Sequence, residues 1–255
     1  MSTKVFFPIF LLLSLLSWRE PVQPHYNLRT IVLDAGHGGK DPGCIGRSIR
    51  EKEVNLDIAL RLGKLIHEGM PGVKIVYTRK EDKFIELHDR AGLANKNGAD
   101  LFISIHSNSG PPGMHGTETY CMGLDKTGQN LDVAKRENSS ILLEKGHKEK
   151  YDNFDPTKPE SYILFSLFQN AYLSNSLKLA EKIEKEFRLT ANRNSRGVKQ
   201  AGFLVLWKTS MPSVLVESGF LTDKSEDSFL STPDGRQAIA QSIYCALESY
   251  AEELK

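Results

Sequence analysis

Cysteine is scarce and poorly spaced for chemistry. Cys44, Cys121 and Cys245 are odd in number and form no CxxC or zinc-ribbon pattern, which excludes a disulfide framework and a thiolate zinc finger. Charge of one sign is equally lacking, with 33 Lys and Arg against 32 Asp and Glu. The basic field that nucleic-acid binding needs is therefore missing, and no nucleic-acid partner is expected. Long apolar runs are confined to Val5–Leu16 behind Lys4. That stretch is short for a membrane span and matches the core of a signal peptide. Residues 1–25 thus read as an export signal, or as an anchor with a short linker, because Ser17-Trp18-Arg19-Glu20-Pro21 offers no small-x-small cleavage pattern. No cysteine lies nearby to carry a lipid, and the expected location is the periplasm or cell envelope. Internal repeats that would mark a separate binding module are absent too. The remainder, 26–255, is long enough for one core without disulfide staples and is expected to be a single monomeric domain.

What is present is an alternation of strands and helices. Thr30-Ile31-Val32-Leu33 is a buried-strand run, and 53–68 places Val54, Ile58, Leu62 and Ile66 at helical spacing. A strand follows at 73–78, a helix at 87–97, and a second buried strand at 99–106 that ends on a histidine. A shorter strand covers 116–122. The segment 123–162 is polar and reads as an insertion. Helical periodicity resumes over 164–187, two buried strands are expected at 202–207 and 213–216, and a helix with Ile239, Ile243, Leu247 and Tyr250 on one face closes the chain at 234–252. Phe203, Leu206 and Trp207 are expected in the core. The pattern predicts an α/β three-layer sandwich with a mostly parallel central sheet flanked by helices.

Three polar residues stand where an apolar strand stops. His37 follows Ile31-Val32-Leu33 within the glycine turn Asp34-Ala35-Gly36-His37-Gly38-Gly39, His106 follows Phe102-Ile103-Ser104-Ile105, and Glu217 follows Val214-Leu215-Val216. Ligands bind at the carboxyl ends of the strands in open α/β sheets, so parallel strands bring these three together. Two histidines and a carboxylate form a known catalytic zinc set. Glu51, fourteen residues after His37, supplies a carboxylate if the intervening loop folds back; a bare helix-start carboxylate favoured by the macrodipole is its alternative role. Glu53 would point away from Glu51 on a helix. Burying Glu217 beside an apolar strand is costly without a strong partner, which favours function over structure there. Cys44 reads as a small apolar residue or a soft ligand near the loop, and His67, His88 and His115 as exposed or loop histidines.

The runs 31–43, 50–56, 104–108 and 214–221, taken in order, resemble the motif series of the zinc-dependent N-acetylmuramoyl-L-alanine amidases, the amidase_3 type of cell-wall hydrolase. The likeness extends from about Arg29 to Tyr250. It implies that His37, Glu51 and His106 bind one Zn²⁺ and that Glu217 is the catalytic carboxylate, passing a water proton to the departing amine. It also implies peptidoglycan as substrate, cut between the lactyl group of N-acetylmuramic acid and L-alanine, in wall remodelling or daughter-cell separation. Asn95 and Arg196 are candidate contacts for the carboxylates and amides of the stem peptide. A zinc peptidase acting on stem peptides would use the same ligand set, whereas a non-catalytic wall-binding module would normally lack one of the four residues.

Two departures from the family pattern are visible. His106 is followed by Ser107 where alanine is common, and some relatives carry at the position of 123–162 a helix that covers the active site until a partner protein displaces it. The stretch 136–144 has helical potential, with Glu137 and Glu144 as candidate blocking groups. The expectation is an autoinhibitory lid with an activator as partner; a surface loop with a solvated helix is the alternative.

Overall fold

The structure is a computed structural model and describes residues 28–123, 130–167 and 171–254. The expected export segment lies outside these residues. Among the described residues no helix is long and apolar enough to cross a membrane.

Strand β1 (Thr30–Ala35) leads through the glycine loop to helix α1 (Glu51–Gly69), then to β2 (Lys74–Tyr77), α2 (Leu87–Lys96), β3 (Leu101–Asn108) and β4 (Thr117–Met122). The insertion carries α3 (Leu131–Asn138), a 3-10 turn (Ser139–Leu143), α4 (His147–Lys150) and a second 3-10 stretch (Pro159–Leu167). After it come α5 (Leu173–Leu189), β5 (Ser195–Ala201), α6 (Leu204–Trp207), β6 (Ser213–Phe220), α7 (Lys224–Leu230) and α8 (Pro233–Glu253). The six strands form one sheet in the order β2-β1-β3-β6-β4-β5. Every pairing is parallel except β4 with β6. The expected mostly parallel sandwich is the observed one.

Alternation along the strands splits the core in two. Ile31, Leu33, Ile103 and Val214 pack under α1, α5 and α8 on one face, while Val32, Phe102, Tyr120 and Leu215 face the other way onto α2, α6 and the insertion. The insertion is therefore no solvated loop. It buries Ala134, Ile141, Tyr151, Phe154 and Phe165 against Phe203 and Trp207, and each large apolar side chain contributes about 1.5–3 kcal/mol to holding it down.

Two expectations fail in instructive ways. The strand expected at 202–207 is helix α6, because a short apolar run carries no period that separates a strand from one buried helical turn. The strand here is β5, whose Ser195, Arg196, Lys199 and Gln200 leave no apolar signature because it lies at the sheet edge and is half-exposed. The helix read from 164 begins at Leu173, and the residues up to Leu167 wind as a 3-10 stretch. Helix α7 was not anticipated, although Asp223 announces it by accepting hydrogen bonds from the Ser225 and Glu226 amides.

Candidate metal centre

The parallel strands β1, β3 and β6 deliver His37, His106 and Glu217 to one edge, with His106 and Glu217 directly opposite each other in the ladder. Glu51 joins them because the loop after β1 folds back: the Glu51 amide donates to Cys44 O at 2.9 Å and the Lys52 amide to Pro42 O at 3.2 Å. Close approach requires glycine at two places. A side chain at Gly36 would put its Cβ 2.3 Å from His106 Nε2, and one at Gly43, whose φ is +65°, would meet Glu51 Oε2 at 2.5 Å. His37 itself holds φ at 61°, an uncommon backbone for a non-glycine residue and one that swings its ring into the edge.

The donor atoms converge. His37 Nε2 lies 3.0 Å from Glu51 Oε1, and His106 Nδ1 lies 3.1 Å from the same oxygen. A fourth group completes the set. Glu137 of α3 places Oε2 at 2.9 Å from His106 Nδ1 and 3.2 Å from His37 Nε2. All four side chains are buried. His37 Nε2 and Glu137 Oε2 nevertheless have no hydrogen-bond partner in spite of these short separations. Buried polar atoms are normally paired, and of the four converging donors only His106 Nδ1 and Glu51 Oε1 are hydrogen-bonded to each other, so the two atoms left over fit a cation between the four. A tetrahedral zinc with bonds of about 2.0–2.1 Å sets its donors roughly 3.3 Å apart, near the spacing here.

Each donor is oriented from behind. His37 Nδ1 is 2.9 Å from Asp41 Oδ2, leaving Nε2 for the cluster. Glu51 accepts from the Cys44 amide at 2.7 Å, the Ser107 amide at 3.0 Å and Asn55 Nδ2 at 3.2 Å. The Ser107 hydroxyl meets Ser218 Oγ at 2.8 Å, so the serine in place of alanine ties β3 to β6 and leaves the histidine undisturbed. Arginines fix the loop itself. Arg79 donates to the carbonyls of Ala35, Gly36 and Lys52, and Arg90 to those of Ala35 and His37 while pairing with buried Asp34 at 2.8 Å.

Electrostatics follow from this crowding. Burial opposes protonation of His37, but the Glu51 charge and the Asp41 and Glu137 carboxylates outweigh it and hold the imidazole pKa well above its usual value. His106 is raised to about 9: burial works against it and Glu137 and Glu51 prevail. Glu51 and Glu137 are held below the ordinary carboxylate range in spite of burial, mainly by His37 and His106 respectively. Glu217 goes the other way. Burial first, then the Glu137 charge, push its carboxyl well up. Neither of its oxygens has a hydrogen-bond partner, and its nearest ion-pair contact is Arg136 Nη2 at 4.0 Å.

The other expected site residues are elsewhere. Asn95 sits exposed at the end of α2, donating to Lys208 O at 2.7 Å and accepting from the Ser210 amide at 2.9 Å, remote from the cluster. Glu144 does not reach the donors either; it accepts from the Leu87 amide at 2.9 Å and from the Tyr151 hydroxyl, pinning the insertion to the start of α2. Arg196 pairs with Glu118 at 2.7 Å instead of standing free. Cys44 is not among the donors, and burial with the nearby Glu51 charge pushes its thiol up to about 11. His67, His88 and His115 are exposed, and Glu53 serves the N-terminus of α1 by accepting from the Arg50 amide. Asp41, Arg79, Arg90, Asn108 and Arg136 were not foreseen; only Asp41, four residues past His37 in a glycine-rich turn, left a readable signal. Beside the cluster a cavity of about 330 Å³ opens between Gly43, Cys44 and the insertion's Ser139, Leu142 and Leu143.

Known proteins share this architecture. The Amidase_3 family model, N-acetylmuramoyl-L-alanine amidase, matches residues 31–249. The N-acetylmuramoyl-L-alanine amidase AmiA of Escherichia coli K12 is 38% identical over 228 residues, covering 87% of this chain and 76% of AmiA. The crystal structure of an N-acetylmuramoyl-L-alanine amidase from Clostridium difficile 630 superposes with a TM-score of 0.65 at 26% identity, over 89% of this chain and 98% of that one. The CwlD amidase of Clostridioides difficile, solved in complex with the GerS lipoprotein, gives 0.65 at 26% identity over 88% and 99% of the two chains. With a match across most of its length and the motif residues gathered at one sheet edge, the chain belongs to the Amidase_3 family of N-acetylmuramoyl-L-alanine amidases.

Proposed function

We propose that this chain hydrolyses the amide between N-acetylmuramic acid and the L-alanine of the peptidoglycan stem, using one Zn²⁺ held by His37, Glu51 and His106. The observation that carries the reading is the convergence of these three donors beside Glu217, a buried carboxylate without a hydrogen-bond partner. Zinc bound there supplies Lewis-acid polarisation of the scissile carbonyl and draws the pKa of water toward neutrality. Glu217 takes the proton of the attacking water and returns it to the departing nitrogen, a role suited to a carboxylate whose proton affinity burial has raised. Asp41 keeps the His37 ring turned so that Nε2 faces the cluster. The test is to incubate the zinc-loaded protein with peptidoglycan, with and without a chelator. Peptides with a free N-terminal L-alanine are the expected product; fragments cut within the stem instead would make it a peptidase.

The same reading makes the segment 123–162 a lid. Glu137 fills the fourth position of the donor set, where substrate has to approach, and the apolar contacts of Ile141 and Phe154 hold it there. A partner that displaces this segment would be the activator; the CwlD amidase in complex with the GerS lipoprotein is a precedent for a partner protein bound to this fold. Export through residues 1–25 to the periplasm or envelope fits such a substrate. Glu137→Ala in the full chain is expected to raise hydrolysis without activator by at least about tenfold, equivalent to a shift of 1.4 kcal/mol toward the open state; unchanged activity would remove Glu137 as the blocking group.

A further inference from the structure

Glu137 does not act alone in the cleft. Arg136, the preceding residue, reaches into the same space beside Glu217. Its Nη2 donates to Asn108 Oδ1 at 2.6 Å and lies 4.0 Å from Glu217 Oε1, its Nη1 donates to Ser109 O at 3.3 Å, and its Nε is 3.1 Å from Glu137 Oε1. The insertion thus presents a carboxylate with one oxygen among the metal donors and the other on a cation, and that cation is seated on three oxygen acceptors next to the catalytic carboxylate.

Hydrolysis of an amide leaves the same pair of groups. The C–N bond breaks, water oxygen bonds to the carbonyl carbon, and both water hydrogens leave that oxygen for the nitrogen: one passes through Glu217, and the other, lost by the new acid, makes the amine an ammonium ion. At neutral pH the products are a carboxylate and an ammonium ion. We infer that Asn108 Oδ1 and Ser109 O, together with Glu217, form the subsite for the departing amine of the stem peptide, and that Arg136–Glu137 occupies the cleft as an imitation of the product pair. The inference rests on the amidase reading above and adds to it the residues that receive the leaving group.

The orientation of Asn108 supports this independently of the insertion. The residue is fully buried at the end of β3, two positions beyond His106. Its Nδ2 donates to Glu118 Oε2 at 3.0 Å. Glu118 is an acceptor only, held ionised against burial by Lys199, Tyr120 and Arg196, so the amide nitrogen must face it and the oxygen lies on the other side, where it accepts from the Ser109 amide at 2.8 Å and has one further lone pair, the one Arg136 takes. Arg196 acts on substrate through this relay, as a positioning residue three hydrogen bonds from the amine. An oxygen fixed in this way accepts an N–H without reorganising, which is the useful property for a group that gains hydrogen atoms during the reaction.

The test uses the full, zinc-loaded chain carrying Arg136→Ala and Glu137→Ala, which truncates the imitating pair and frees the acceptors. Calorimetry compares a stem peptide that begins with a free L-alanine amine against the same peptide N-acetylated. The free amine is expected to bind about tenfold tighter or more, the scale of a hydrogen bond to a charged group, and adding Asn108→Leu is expected to bring the two peptides level. Equal affinity in the parent variant, or a preference that survives Asn108→Leu, overturns the subsite. If Asn108→Leu fails to fold, the preference in the parent variant decides by itself. A parent variant that releases no L-alanine termini from peptidoglycan sinks the amidase reading and the subsite with it, while one that cleaves yet binds both peptides equally sinks the subsite alone.

Discussion

Two regions contribute donors to the same cluster and are held in different ways. The loop that carries His37 is gripped by Arg79 and Arg90, whose guanidinium groups are buried and donate to its carbonyls. The helix that carries Glu137 has no buried arginine reaching in to hold its main chain: Asn138 bonds Gly202 O at 2.8 Å and the Leu204 amide at 2.8 Å, Ser140 donates to the Asp41 carboxylate at 2.7 Å, its own Arg136, about a third exposed, bonds Asn108 Oδ1 and Ser109 O, and apolar packing supplies the rest. Charge-assisted bonds in a dry interior are roughly twice as strong as neutral ones and tolerate little movement. Such a grip suits a permanent ligand, and on the lid reading proposed above the other suits a ligand that leaves.

The hardest way to break the contrast is Arg90→Met. It strands the Asp34 carboxylate in the core and is expected to lower stability by about 3–5 kcal/mol, read from urea denaturation. The pH dependence should change with it. Burial alone would raise Asp34, but Arg90, Ser104 and Thr78 hold its pKa below the 3.8 of a free side chain. A carboxylate lowered on folding stabilises the native state above its unfolded pKa, and that contribution disappears as the pH falls through the folded value. Without Arg90 the acid unfolding midpoint should move to higher pH; an unmoved midpoint would show that the pair does not set it.

Asp41→Ala comes next, because this carboxylate serves both regions. Losing the partner of His37 Nδ1 is expected to weaken zinc affinity by about 10–100-fold, measured by competition with a chromophoric chelator. Ser140→Ala isolates the other half. It deletes only the insertion's bond to Asp41, and the expected result is a loss of about 0.5–1.5 kcal/mol in the insertion's hold with zinc affinity nearly unchanged. Hydrogen exchange over 131–143 should then quicken while exchange in β1 does not. Equal quickening in both would mean that the two regions open together and that the distinction drawn here is wrong.

Much of the site could be read in advance because strand ends are visible in sequence. An apolar run that stops on His37, His106 or Glu217 gives both the element and the side chain it delivers. Glu51 was readable as a carboxylate in range, though not the turn through Cys44 that brings it home. Arg79 and Arg90 carried no such signal: each lies more than 40 residues from the carbonyls of residues 35–37 that it holds, and an arginine that bonds main-chain oxygen looks in sequence like any surface arginine. Glu137 and Glu144 were indistinguishable in the insertion's sequence. Their fates diverged through packing, since burial of Ala134 and Ile141 fixes which face of the segment meets the cluster.

The reversed direction of β4 has a further consequence. Because β4 runs against β6, the chain leaves the sheet at the edge opposite the metal donors, and Asn130 bonds Gln200 O there before α3 starts back toward them. The insertion is thus rooted at one edge and places Glu137 at the other, with an eight-residue helix of about 12 Å as part of the span. By the time it begins, β4 has already covered the β6 ladder from Glu118 to Cys121. In topological terms the segment is a side branch: its length and composition can drift without rewiring a single strand pairing, so whatever covers the donors is free to change separately from the sheet edge that carries them.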